Sequence, residues 1–251
     1  MMARAWLRVL HALPLALALT AASDLPAMAQ SGTVDLGSGA NLSGRVIQLV
    51  ALMTVLALAP SILIVVTSFT RIIVVLSLLR SAIGIQTTPP NAVLISLALF
   101  LTFFIMQPAL ERSYKEGLQP LMEDRIGEAE AFQKTTAPIH GFMLQHVREK
   151  DLALFMDMAK LGPIAQPSDT PLRALVPAFM ISELRRAFEI GFLIFVPFLV
   201  IDMVVASVLM SMGMMMLPPV VIALPFKLIF FVLVDGWNLI AGSLVKSFGS
   251  G

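Results

Sequence analysis

Long charge-free apolar runs are the feature of this sequence that most restricts its fold. No charged residue occurs between Arg45 and Arg71, or between Arg80 and Glu111. The chain is 58% hydrophobic and 13% charged, whereas charged residues make up roughly 25% of a soluble domain. Runs of this length are long enough to cross a bilayer as helices, so they predict a membrane protein.

The N-terminal segment is typical of a secretory signal peptide. It has a short basic start, an apolar stretch at 9–22 and an A-x-A sequence that ends at Ala29. We therefore predict a signal peptide at 1–29. The residues at 30–45 are rich in glycine and serine and predict a flexible periplasmic lead-in. An uncleaved first membrane helix is the alternative for the apolar stretch.

The two charge-free runs predict a first helical hairpin at 46–110. Its first helix fits 46–66. Its second helix begins after a Pro-Pro pair and covers 91–106, which is short for a membrane span. The connector carries Arg71 and Arg80 without an acidic residue. Because basic residues in short loops mark the cytoplasmic side, this connector is predicted to be cytoplasmic.

Residues 111–186 differ in composition, with ten Lys and Arg and eleven Asp and Glu in mixed order. This mixture is typical of a water-exposed surface and predicts a small helical periplasmic domain. Its histidines, His140 and His146, are six positions apart and do not share a helix face as a metal-binding pair would. The sequence has no nucleophile–base arrangement and no cysteine, so we expect no enzymatic activity, no metal site and no cofactor.

The second apolar block, 187–251, predicts another helical hairpin. Prolines and two charged residues, Asp202 and Lys227, interrupt its helices. Charges at membrane depth persist when they pair or face water, so a buried ion pair and an aqueous lumen both fit. A charged collar precedes the block, and its i, i+3 and i, i+4 spacings predict local pairs. This collar fits an interface surface or a partner-binding site, and it consists of Glu183, Arg185, Arg186 and Glu189.

Methionine is concentrated where the second hairpin turns. Four of the five residues at 212–216 are methionines, Met210 lies just before them, and Pro218 and Pro219 follow. One interpretation is a flexible turn packed with soft side chains. The other is a seal formed by several subunits in a ring, because the unbranched, polarizable thioether can adapt to a passing polymer.

Several contiguous motifs give the chain a recognisable pattern. The longest are PAFMISEL at 177–184, FEIGF at 188–192, PFLVIDM at 197–203 and SVLMSMGMMMLPP at 207–219. Shorter ones are SFTR at 68–71, QTTPPN at 86–91 and FKL at 226–228. Together they resemble the FliP family over nearly the whole chain that follows the predicted signal peptide.

The resemblance implies an all-α membrane protein in which two apolar hairpins flank a small periplasmic domain and several copies form a helical export gate. It implies assembly with FliQ and FliR, connection to FlhB and FlhA, and passage of unfolded flagellar subunits. The implied location is the bacterial inner membrane, in contact with lipid, within the flagellar basal body. The tip methionines resemble the family's gasket at the channel constriction, and they are Met210, Met212, Met214, Met215 and Met216.

Three other functions fit the sequence. One is the injectisome counterpart of the family, but the signal peptide favours the flagellar branch. Another is a stand-alone ion channel or secondary transporter with Asp202 and Lys227 at its midplane site, although the two hairpins show no sequence repeat. The third is a structural protein that nucleates the assembly without lining the conduit. Binding to nucleic acid is not expected, because a net charge of +1 gives no basic surface.

Overall fold

Helices form all the regular secondary structure of the residues that the computed structural model describes, which are 42–85, 87–162, 164, 166–214 and 217–249. The prediction of an all-helical chain is therefore confirmed for these ranges. The predicted signal peptide and most of the lead-in lie outside the described residues. The chain divides into two units, 1–57 and 58–251, and the first helix runs across the boundary between them.

In the described part of the chain, nine α-helices follow one another. They are α1 Leu42–Val66, α2 Phe69–Ile83, α3 Asn91–Arg112, α4 Gln119–Met122, α5 Glu128–His146, α6 Glu149–Met158, α7 Leu172–Ser211, α8 Pro219–Leu233 and α9 Gly236–Gly249. A π-helical segment, Ser113–Leu118, joins α3 to α4, and a short 3₁₀ turn, Pro167–Asp169, precedes α7. The first helix contains the whole of the predicted range 46–66.

The segment predicted to be a cytoplasmic connector is a buried helix, α2. Its apolar residues recur every three or four positions, and Ile72, Leu76 and Leu79 are all buried. Gly84 ends the helix with a φ of 92°, a left-handed conformation that favours glycine. Arg71 lies in the first turn and is fully buried. The prediction that Arg71 belongs to a short basic loop is therefore wrong, because this segment has the periodicity of a core helix.

The second long helix begins at Asn91 as predicted, and the Asn91 side-chain oxygen accepts a hydrogen bond from Arg80 at 2.6 Å. It does not end at residue 106. With the π-helical segment and α4 it forms one continuous helix, Asn91–Met122, of 32 residues. Pro108 lies within it. The charges that begin at residue 111 therefore do not end the helix, and the predicted boundary at 110 lies inside it.

The helix α7 joins the polar part of the chain to the second hairpin. It is 40 residues long and includes Pro177 and Pro197. The predicted domain boundary at 186 lies inside it, because the charged residues near that position occupy the surface of a helix that continues. The polar part between Met122 and Leu172 is thus connected to both apolar parts by uninterrupted helices.

Several of the described helices could cross a membrane. Among the described residues, the helices Asn91–Met122 and Leu172–Ser211 are long and apolar enough to span a bilayer. The pair α8 and α9 would form a third span with a bend of 62° between them.

The core of the second unit is formed mainly by α2 and α7. Ile72 and Leu76 of α2 pack in one cluster with Leu175 and Phe179 of α7, and α3, α5 and α9 contribute to the same cluster. A second cluster, centred on Leu79, contains residues of α2, α7 and α8. The buried helix α2 therefore holds the polar end of α7 and the apolar hairpin in one packed unit.

The π-helical segment packs against the backbone of α5. A Cβ atom at Gly117 would overlap Thr135 Oγ1 and would lie 2.7 Å from Thr135 N and 2.9 Å from Thr135 Cα. Real Cβ atoms do not approach backbone atoms this closely, and a helix backbone moves aside less easily than a side chain. Glycine is therefore required at this crossing.

We expect Gly117→Ala to destabilise the chain by about 1–3 kcal/mol, because the added methyl group overpacks the crossing with α5. Gly141→Ala is the matched control, since an added Cβ there meets nothing within 4 Å and alanine favours a helix by about 1 kcal/mol. Thermal unfolding in detergent, followed by circular dichroism, measures both variants. A Gly117→Ala midpoint at or above that of Gly141→Ala would contradict the close crossing.

Candidate functional site

The described part of the methionine-rich tip contains a tight turn at Gly213, which ends α7. Gly213 has a φ of 75°, which favours glycine. Its N–H donates to the carbonyl of Met210 at 3.1 Å, and the N–H of Met214 donates to the carbonyl of Leu209 at 3.0 Å. These two bonds form a Schellman motif. The next helix begins at Pro219, a residue suited to the first helical position. Glycine and proline thus fix the position of the turn.

Three methionines of the tip present their side chains to the surroundings. Met210 is 57% exposed, Met212 is 62% exposed and Met214 is 42% exposed. Leu217, which follows them, is exposed as well. Met215 and Met216, the other two predicted gasket residues, lie outside the described residues. The described part of the tip is therefore an exposed apolar surface carried on a fixed turn.

The helices that carry the tip leave much of their apolar surface uncovered within this chain. A groove of about 560 Å³ runs between α7 and α8, and every residue that lines it is apolar, including Val204, Val208, Ile222, Phe226 and Phe230. Exposed apolar surface of this extent marks contact with membrane or with another protein. The second hairpin thus has the surface of an element that lipid or neighbouring chains cover.

Asp202 and Lys227, the two charges predicted to interrupt the helices of the second hairpin, meet in the structure. Lys227 Nζ lies 2.7 Å from Asp202 Oδ2 and donates a second hydrogen bond to the carbonyl of Ala82 at 3.2 Å. That carbonyl belongs to the last turn of α2, where the helix dipole favours a cation. Lys227 is buried, Asp202 is partly exposed, and Asp202 Oδ1 has no hydrogen-bond partner among the described residues. Within this chain the two charges form an ion pair that links α2, α7 and α8.

A second charge pair, which the sequence does not predict, lies in the core. Arg71 Nε donates to Glu183 Oε2 at 2.8 Å, and both side chains are fully buried. Arg71 Nη1 donates to Ser247 Oγ at 2.9 Å, and the guanidinium lies 3.6 Å from the ring centroid of Phe248. A planar guanidinium is suited to this combination of paired hydrogen bonds and stacking. The pair joins α2, α7 and α9.

The residues of the predicted charged collar differ in burial and in pairing. Arg185 and Glu189 form an exposed pair at 2.8 Å, as their i, i+4 spacing predicts. Arg186 is half-buried. Glu183 pairs with Arg71 and not with Arg186. The pair of Glu183 with Arg186 that their i, i+3 spacing predicts is therefore wrong, because Glu183 lies on the face of α7 that packs against α2.

A polar network attaches α6 to α7. Asp151 accepts hydrogen bonds from Ser182 Oγ at 2.6 Å and from Arg148 Nε at 2.8 Å. Burial raises the pKa of the Asp151 carboxyl, but these hydrogen bonds and the charge of Arg148 outweigh it and hold the pKa below its ordinary value. The carboxylate therefore remains ionised at neutral pH, and both of its partners remain bound.

The two histidines of the polar part have structural partners. His140 Nε2 lies 2.7 Å from the carbonyl of Thr170, and His146 Nδ1 lies 2.8 Å from the carbonyl of Phe142. His146 also packs against the rings of Phe142 and Phe248. No group of three or more potential metal ligands occurs within the ranges that the structure describes.

Long apolar helices, an uncovered apolar hairpin and charges that pair inside the chain define an all-helical membrane protein. Residues 52–244 match the FliP family, and the chain belongs to that family. The family resemblance that the motifs indicate is thereby confirmed.

Relatives over most of the chain agree with this assignment. The flagellar biosynthetic protein FliP of Caulobacter vibrioides is 62% identical over 238 residues, which cover 94% of this chain and 90% of the relative. The protein of the same name from Bacillus subtilis is 59% identical, and the aligned region covers 83% of this chain and 94% of the relative. That from Rhizobium meliloti is 49% identical, with 92% of this chain and 93% of the relative covered.

We expect Glu183→Gln to destabilise the chain by about 3 kcal/mol or more, because it leaves the Arg71 charge buried without a carboxylate. The double variant Arg71→Met, Glu183→Leu should lose less, since no charge then remains in the core. Glu189→Gln, which breaks the exposed pair on the same helix, should leave stability unchanged within error. Thermal unfolding in detergent measures all three. Equal losses of stability for Glu183→Gln and Glu189→Gln would show that the buried pair stabilises the chain no more than the exposed pair does.

Proposed function

We propose that this chain is a subunit of the flagellar type III protein-export gate and forms part of the channel through which unfolded flagellar subunits cross the inner membrane. Membership of the FliP family supports a role in flagellum biogenesis and protein export. The chain's own surface supports a subunit of a larger assembly, because the second hairpin leaves a long apolar groove uncovered. The alternative is that the chain is a subunit of a virulence injectisome export gate.

The methionine-rich tip is the proposed closing element of this channel, and its geometry is the observation that carries the proposal. A turn fixed by Gly213 holds at least three exposed thioethers at the end of an apolar hairpin. Copies of this tip around an axis would form a narrow apolar ring that excludes ions by dewetting. Methionine side chains are adaptable enough to yield to a passing polypeptide.

The proposed partners are other copies of this chain, FliQ, FliR, FlhB and FlhA. The polar part between Met122 and Leu172 is proposed to be periplasmic, and the assembly is proposed to belong to the flagellar basal body. A stand-alone transporter has less support, because Asp202 and Lys227 are bound to each other and do not present a free midplane site. The proposed gate would act without chemical catalysis.

We expect simultaneous replacement of Met212, Met214, Met215 and Met216 by alanine to raise the ion conductance of the reconstituted complex roughly tenfold or more, because the ring loses the apolar volume that keeps it dry. Planar-bilayer recording measures the effect. A matched control replaces Met122 and Met158, which are exposed outside the tip, and should leave conductance low. If the alanine variant of the tip conducts ions as poorly as the wild type, the proposed seal is refuted.

Co-expression with the chromosomal neighbours of its gene should yield one discrete complex that contains several copies of this chain together with FliQ and FliR. Its apolar hairpins need neighbours to cover them, and native mass spectrometry in mild detergent would give the copy numbers. A lone monomer or a simple homodimer that transports a solute in liposomes would instead support a transporter.

A further inference from the structure

The methionines of this chain differ sharply in exposure. Met106 and Met143 lie in the core and are each 1% exposed, whereas the three described tip methionines are all at least 42% exposed. These three lie within five consecutive residues, 210–214. Susceptibility of a thioether to oxidation follows its exposure. The tip is therefore a dense patch of oxidisable sulfur at the place where the proposed channel closes.

We propose that the tip is a site of reversible methionine oxidation by peroxide-class oxidants, and that this oxidation opens the seal; the second part rests on the proposed function of the tip. A sulfur lone pair attacks one peroxide oxygen, the O–O bond breaks and an S–O bond forms. The other oxygen leaves as water after proton transfer. Sulfur loses two electrons, which the peroxide gains. Methionine sulfoxide reductases reverse the change with two electrons from a dithiol, and the sulfoxide oxygen leaves as water.

Oxidation changes how water contacts the tip without changing its fold. An apolar constriction blocks ions because water leaves it, whereas a sulfoxide is polar and accepts hydrogen bonds from water. The bonds that hold the turn run between backbone atoms, from Gly213 to Met210 and from Met214 to Leu209, and involve no sulfur atom. The oxidised tip therefore keeps its position, retains water and conducts ions.

The first experiment maps oxidation on the full chain in detergent micelles. Hydrogen peroxide is added at a dose that oxidises Met122 and Met158, which are exposed outside the tip, and peptides are analysed by mass spectrometry. We expect Met210, Met212 and Met214 to gain about 16 Da each. The buried Met106 and Met143 should remain unmodified. Tip methionines that stay reduced at this dose would overturn the proposal.

The second experiment records ion conductance of the reconstituted complex before and after the same peroxide treatment. The matched variant replaces Met210, Met212, Met214, Met215 and Met216 by leucine, which has a similar volume and no sulfur. We expect wild-type conductance to rise roughly tenfold and to return after treatment with methionine sulfoxide reductases, while the leucine variant shows no rise above its own conductance before peroxide. A wild-type complex that stays closed with its tip oxidised, or a leucine variant that opens equally, would overturn the proposal.

The alanine variant of the tip separates this inference from the proposed function. If the unoxidised alanine variant leaks but the oxidised wild type does not, the seal stands and its control by oxidation is refuted. If the alanine variant stays closed, the seal itself is refuted and with it the opening by oxidation, while the peptide map still reports whether the tip is modified.

Discussion

The ion pair between Arg71 and Glu183 is the interaction on which the arrangement of the helices depends. Two charges away from water are stable only when each donor and acceptor finds a partner. Here the guanidinium also binds Ser247 and stacks on Phe248, so α2, α7 and α9 must converge at one point. Apolar contacts have no preferred direction, whereas these hydrogen bonds and the contact with the ring have defined geometries that relate the three helices.

Features that depend on neighbouring residues could be predicted from the sequence. The start of α3 at Asn91 follows from the two prolines before it, and the turn at Gly213 follows from the glycine and the prolines after it. The exposed pair of Arg185 and Glu189 follows from its spacing of one helical turn. In each case the residues that determine the structure lie within a few positions of one another, where spacing rules apply.

Features that depend on distant residues could not be predicted in the same way. Arg71 and Glu183 are 112 positions apart, and nothing in the sequence selects this carboxylate among the sixteen acidic residues. The continuation of α3 beyond residue 106 and of α7 across residue 186 was also beyond local rules. Pro108, Pro177 and Pro197 lie inside long helices, because neighbouring helices and apolar surroundings stabilise turns that an isolated helix would lose.

The length of α7 has a mechanical consequence. At 1.5 Å per residue its 40 residues extend about 60 Å, twice the thickness of a hydrocarbon core of about 30 Å. One end is anchored through Glu183, and the other carries Met210. Pro197, between them, has no N–H to donate, so the helix resists bending least at that point. The helix is thus anchored on one side of Pro197 and carries the tip on the other, and one backbone hydrogen bond is missing between the two.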